Sequence, residues 1–143
     1  MNIDPAIWGR NLWRSLHSIT YAYSNNNKQS ARSFFTSLSN LLPCEKCRLN
    51  YNEHLKLHPL TDAVLSSRDE LMNWLIDVHN EINKLLGKSV ISREYAKELI
   101  ARDNHNQTNI LARYTKLITI LVIFILIIII FIILWYKKTN LPR

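Results

Sequence analysis

Ser67 to Gly87, SRDELMNWLIDVHNEINKLLG, decides the architecture. Leu71, Leu75, Val78, Ile82 and Leu85 or Leu86 recur at the 3.6-residue period, so one stripe of a helix is apolar and needs a packing partner. Ser67 stands three residues before Glu70, the spacing of a capping box, and Gly87 sits where the pattern stops. Toward the N-terminus, residues 1–23 carry Ile7, Trp8, Leu12, Leu16 and Ile19 at helical spacing, with Asp4 as a cap and Pro5 in the first helical position. An Asn-rich loop is expected over 24–30, then a helix over about 31–42 that offers Phe34, Phe35, Leu38, Leu41 and Leu42 to a core. Pro43 breaks that helix and opens a third, with Cys44 in its first turn and Cys47 one turn later. Beyond Gly87, Ser92 can cap a short fifth helix ending near Ala101. Short connections make neighbouring helices antiparallel, so the expected fold class is all-α: a four-helix bundle with a short fifth helix, plus one C-terminal transmembrane helix.

The transmembrane expectation rests on Leu117 to Tyr136, a run of 20 residues in which only Thr119 is polar. At about 1.5 Å per residue the run covers about 30 Å, the hydrocarbon thickness of a bilayer. Trp135 and Tyr136 followed by Lys137 and Lys138 read as an interfacial anchor and a charged stop. The division expected is a domain over 1–101, a polar linker over 102–116, the span over 117–136 and a short basic tail over 137–143. No signal-peptide core interrupts the first twenty residues, so the domain is expected on the cytosolic side of a single-pass, C-terminally anchored protein.

Composition excludes several functions. Gly9 and Gly87 are the only glycines, which rules out a Gly-rich phosphate loop of either common type. The net charge is +7, with 18 Lys and Arg against 11 Asp and Glu, but no basic stripe is present and nucleic acid is not an expected partner. Cys44 and Cys47 are the only cysteines, a single C-x-x-C pair rather than a disulfide framework. At a helix start, with Lys46 and Arg48 adjacent, such a pair favours a thiolate and suits dithiol exchange. Two other readings stay open on the pair alone: two inert thiols, or a zinc-binding or adaptor module using Cys44, Cys47, His54 and His58. The spacer in the zinc pattern is much shorter than a zinc finger's. Trp13 and His17, and likewise His79 and Asn83, are four apart on helix faces, and together these rings and donors suit a flat heteroaromatic cofactor between helices.

Gly9-Arg10-x-x-Trp13-x-x-Leu16-His17, then Pro43-Cys44-Glu45-Lys46-Cys47, then Trp74-Leu75-x-x-x-His79-Asn80-Glu81-Ile82-Asn83-x-x-Leu86-Gly87-Lys88 resembles the Erv/ALR family of FAD-linked sulfhydryl oxidases in order and separation. The resemblance covers roughly residues 5–100 and implies a thiol oxidase in which Cys44 is the outer cysteine attacked by substrate and Cys47 the inner one that passes electrons to FAD. Oxygen is then reduced to hydrogen peroxide. The FAD-binding set it implies is Gly9, Arg10, Trp13, His17, Trp74, His79, Asn80, Asn83, Leu86 and Lys88, with Asn50 and Tyr95 at less closely matched positions; no metal is implied. Cellular members commonly carry a further shuttle cysteine pair, which this sequence lacks, so its electrons are expected directly from substrate protein dithiols or a thioredoxin-like carrier. The compact, anchored layout is similar to forms from large cytoplasmic DNA viruses, which points to a host or virion membrane. A homodimer is a further expectation from the family.

Overall fold

A computed structural model describes residues 2–139, and among them all regular secondary structure is helical. The helices are α1 (Pro5–Tyr21), α2 (Lys28–Leu41), α3 (Glu45–Leu57), α4 (Arg68–Leu85) and α5 (Arg93–Thr139), with 3₁₀ turns at Asn25–Asn27 and Val64–Ser66. Their starts follow the sequence signals. The Asp4 carboxylate accepts the Ala6 N–H at 2.9 Å, with Pro5 opening α1; Ser67 Oγ accepts from Glu70 N–H and Ser92 Oγ from Tyr95 N–H, both at 3.2 Å. Gly87 ends the α4 segment at φ +65°, a left-handed conformation that a side chain would strain.

Three boundaries differ from the sequence expectation. The stretch 24–30 is not a plain loop: a 3₁₀ turn leads into α2, which begins at Lys28 rather than near Ala31. Cys44 lies just outside α3, in extended conformation at the N-cap, because its own sulfur takes the acceptor role a capping oxygen usually fills. Residues 102–116, expected as a linker, are helical and continuous with α5. Polar, unpatterned sequence does not break a helix, and 93–139 contains neither Gly nor Pro.

Packing of α1 on α4 and of α2 on α3 closes a core around Leu16, Phe35, Leu38, Tyr51, Leu65, Leu71, Trp74, Leu75 and Val78. Each such side chain contributes about 1.5–3 kcal/mol relative to exposure. A second cluster, Met72, Ile76, Ala96 and Ile100, joins the far side of α4 to the start of α5. The helical stripes are narrower than the sequence pattern: Ile7, Ile19, Phe34, Leu41, Leu85 and Leu86 are exposed. Phe34 and Phe35 show the cause, since successive helical positions point about 100° apart and only one of them can face the core. Buried and half-buried polar links tie the layers together. Tyr51 donates to the Phe35 carbonyl at 2.9 Å, Tyr23 to that of Leu65 at 2.8 Å, and the Trp74 indole to that of His58 at 2.8 Å.

By internal contacts the chain divides into residues 1–102 and 103–143. The second unit contains the apolar run 117–136, exposed along its length and long and apolar enough to cross a membrane. The basic tail expected over 137–143 lies largely outside the described residues.

Candidate active site

Cys44 and Cys47 are joined as a disulfide at the N-terminus of α3. One turn of helix brings their Cα atoms to 5.1 Å, within the range a disulfide needs. The Cys47 N–H points at Cys44 Sγ, 3.2 Å away, so a backbone donor from the positive end of the helix already faces one sulfur. Arg48 folds back to donate to the Leu42 carbonyl at 2.7 Å and so braces the turn. Cys44 is 9% exposed and Cys47 is half-buried, packed against the same core as Trp13.

A cleft of about 180 Å³ opens beside α4, lined by His17, His79, Asn80 and Asn83 on one side and by Ile91, Ala96, Leu99 and Ile100 on another. Trp13 stacks on His79 with ring centroids 4.0 Å apart and planes 3° from parallel. His17 Nε2 and His79 Nδ1 lie 3.0 Å apart and share one hydrogen bond, while His17 Nδ1 is buried without a protein partner. The cleft is thus faced by two imidazole rings, with Trp13 stacked on one of them and an unpartnered nitrogen on the other. Burial, then the neighbouring His79, pushes His17 down to about 4; burial, then the Lys88 ammonium, pushes His79 down to about 4. Lys88 is therefore close enough to set a positive charge at the cleft.

The other sequence-selected residues fall in different places. Asn80 spends both ends of its amide on the Ile91 backbone, at 2.9 and 3.3 Å, which fixes the loop that walls the cleft. Trp74 is not a cleft residue: it is 5% exposed, edge-on to Phe35, and belongs to the core. Arg10, Asn50, Leu86, Lys88 and Tyr95 are exposed, and Gly9 leaves room for a Cβ at ordinary contact distance from Pro5. Ile76, Leu99 and Ile100 were missed as site residues by sequence reasoning, because apolar positions on a helix carry no signal that separates a cleft from a core. His54 and His58 do not complete a metal set: Cys44 and Cys47 are bonded to each other, and among the described residues no three His, Cys, Asp or Glu groups converge.

The histidine pair makes stability depend on pH. Both folded values lie below the ordinary 6.5, so between about pH 6.5 and 4 the unfolded chain binds more protons than the folded one. The pair's contribution is complete above about 6.5 and is lost as pH falls toward 4. The melting temperature should drop over that window, and less steeply in His17→Gln/His79→Gln; an equally steep drop in that variant would place the proton uptake elsewhere.

A redox-capable cysteine pair at the start of α3, packed on the core that Trp13 also packs on, in a helical bundle with a histidine-lined cleft, defines a small helical disulfide protein. Residues 10–109 match the Erv1/Alr family, and the chain belongs to that family. A protein of Acanthamoeba polyphaga mimivirus that bears the name "Probable FAD-linked sulfhydryl oxidase" is 39% identical over 104 residues, covering 70% of this chain and 73% of that one. The FAD-linked sulfhydryl oxidase of African swine fever virus is 26% identical over 119 residues, covering 77% and 98%. Among solved structures, the FAD-binding domain of Erv1 from Saccharomyces cerevisiae superposes with a TM-score of 0.61 at 25% identity, covering 68% of this chain and 93% of that one.

Proposed function

We propose that this chain is a FAD-dependent thiol oxidase that makes disulfides in substrate proteins and hands the electrons to oxygen. The observation that carries the reading is the Cys44–Cys47 disulfide packed against the same core as Trp13, in a chain whose relatives bear that enzyme name. The residues present match part of the cofactor's chemistry: His17 and His79, with Trp13 stacked on His79, suit a planar heteroaromatic ring, Asn83 supplies an amide, and Lys88 near His79 suits a pyrophosphate, while Arg10 is assigned to it by motif position alone. Zinc binding is not supported.

In the thiol half-reaction a substrate thiolate attacks Cys44 Sγ, the Cys44–Cys47 bond breaks, and Cys47 leaves as a thiolate. A second substrate thiol, as thiolate, displaces Cys44 from the mixed disulfide. The substrate is then a disulfide and the pair a dithiol, holding two electrons and, once both sulfurs are protonated, two protons. Bound FAD supplies the two-electron acceptor that reoxidises the pair and reduces oxygen to hydrogen peroxide. The helix N-terminus lowers the cost of each thiolate, and the packing of Cys47 with Trp13 against one core supports Cys47 as the sulfur nearer the cofactor. Cys44 is the more buried sulfur here, so its assignment as the attacked atom rests on its motif position.

Two measurements test the reading. The purified full chain should be yellow and oxidise dithiothreitol, and FAD added to stripped protein should raise its melting temperature, since a ligand bound only by the folded state stabilises it. A colourless chain whose melting ignores FAD would overturn it.

The apolar run 117–136 supports a membrane anchor, and we propose that the oxidase domain lies on its cytosolic side. Substrates would then be dithiols of cytosolic proteins or of a thioredoxin-like carrier, and a dimer is compatible with the exposed apolar residues of α1. Asn106-Gln107-Thr108 is a glycosylation sequon, and a second one engineered into 25–27 gives a distal reporter. Neither site should be modified. A glycosidase-sensitive gel shift would put the domain in the secretory lumen.

A further inference from the structure

Residues 2 and 3 tie the start of the chain to the peptide groups on both sides of Cys44. Asn2 Oδ1 accepts the Glu45 N–H at 2.8 Å, and the Ile3 N–H donates to the Pro43 carbonyl at 2.8 Å. Ile3 is held from behind, its carbonyl accepting the Trp8 indole N–H at 3.1 Å, and Asp4 next to it caps α1. Asn2 is thus seated by neighbours tied to α1 and to the turn that leads into α3.

The first N–H groups of a helix have no partner within it and form its positive end. In α3 one of them, from Cys47, faces Cys44 Sγ; another, from Glu45, is occupied by Asn2. We propose that Asn2 is a positioning residue for the thiol reaction: a neutral acceptor clamped on the N-terminus of α3 that fixes the donor end beside Cys44 and sets how strongly that end stabilises the Cys44 thiolate. A side-chain oxygen suits this place because it occupies the Glu45 N–H without adding a negative charge next to a sulfur that must become an anion. The charged residues beside the pair in sequence, Glu45, Lys46 and Arg48, and Asp4 two residues from Asn2, stay constant when Asn2 alone is changed.

The role has a sign that a structural tie lacks. Asn2→Asp keeps the acceptor and adds a charge, so it should hold the strap and yet disfavour the thiolate. Asn2→Ala removes the acceptor and leaves the Glu45 N–H free, so it should favour the thiolate. The inference rests on the thiol-oxidase reading for its effect on turnover, but its test reads the sulfur directly. The full chain in detergent, reduced and kept anaerobic, is alkylated with iodoacetamide across a pH series, and the Cys44 adduct is located by peptide mass. The midpoint should move up in Asn2→Asp and down in Asn2→Ala, with rates at pH 7 about two- to fivefold below and above the parent. Midpoints that move in the same direction, or not at all, would overturn the proposal. Should Asn2→Ala lose its helical signal, Asn2→Asp decides alone, and an unmoved midpoint there counts against it. A parent that alkylates as described but oxidises no thiol would sink the oxidase reading and leave this inference standing.

Discussion

Serine at either Cys44 or Cys47 should reduce dithiothreitol oxidation by roughly a thousandfold or more while leaving the helical content and the FAD content close to the parent. The size follows from the chemistry: the disulfide is the group that exchanges, and one sulfur alone can neither accept two electrons nor release an oxidised substrate. The fold should lose only about 2 kcal/mol, because the bond closes a loop of one helical turn and removes less unfolded-state entropy than a long-range bridge would. Serine also suits position 44, an N-cap where its hydroxyl can accept the same N–H that the sulfur accepts. The two variants separate the roles of the sulfurs. Cys47→Ser leaves Cys44 without its resolving partner, so exposure to oxidised glutathione should trap a stable adduct on Cys44. If Cys44→Ser traps Cys47 faster, the order of attack is the reverse of the one proposed, in keeping with the greater exposure of Cys47 in the structure. Parental turnover in either variant would remove the cysteine pair from the electron path.

Much of this architecture is written in local chemistry. Asp4-Pro5, Ser67-x-x-Glu70, Gly87 and Ser92 each mark a helix end by a mechanism that acts within a few residues, and each marks it in the structure. What depends on three dimensions is less legible. Whether Phe34 or Phe35 turns inward is set by the azimuth of α2 against its neighbours, which the alternation of apolar residues does not specify. The continuation of α5 through 102–116 was hidden because a polar, Asn-rich stretch reads as a linker, whereas a helix needs only the absence of breakers once it is nucleated. The site divides in the same way. His17, His79 and Asn83 were readable as one cleft wall because helical spacing and the family motif agree on them. The strap from Asn2 and Ile3 to the cysteine turn was not, since a hydrogen bond between residues more than forty apart leaves no periodic trace.

That division has its largest consequence at Trp74 and His79, which the motif places together and the structure places apart. Trp74→Ala should destabilise the fold by about 3–5 kcal/mol, because it removes a buried ring that packs edge-on against Phe35 and also strips the His58 carbonyl at the end of α3 of its donor. Against a total of about 5–15 kcal/mol for an ordinary domain, that is enough to leave much of the protein unfolded on mild warming. Trp74→Phe keeps an aromatic ring and loses the hydrogen bond, so it should cost less, about 1–3 kcal/mol. His79→Ala should behave differently. The ring is half-buried on a cleft wall, so its loss opens the Trp13 face and removes the partner of His17 without hollowing the core. Its main effect should be on cofactor retention, with FAD lost on gel filtration and restored only at high concentration. Urea unfolding of the stripped proteins followed by circular dichroism, set beside FAD content after purification, separates the two. Equal midpoints for Trp74→Ala and His79→Ala would contradict the placement of Trp74 in the core. A His79→Ala protein that keeps its FAD through gel filtration would move the cofactor away from the Trp13–His79 stack.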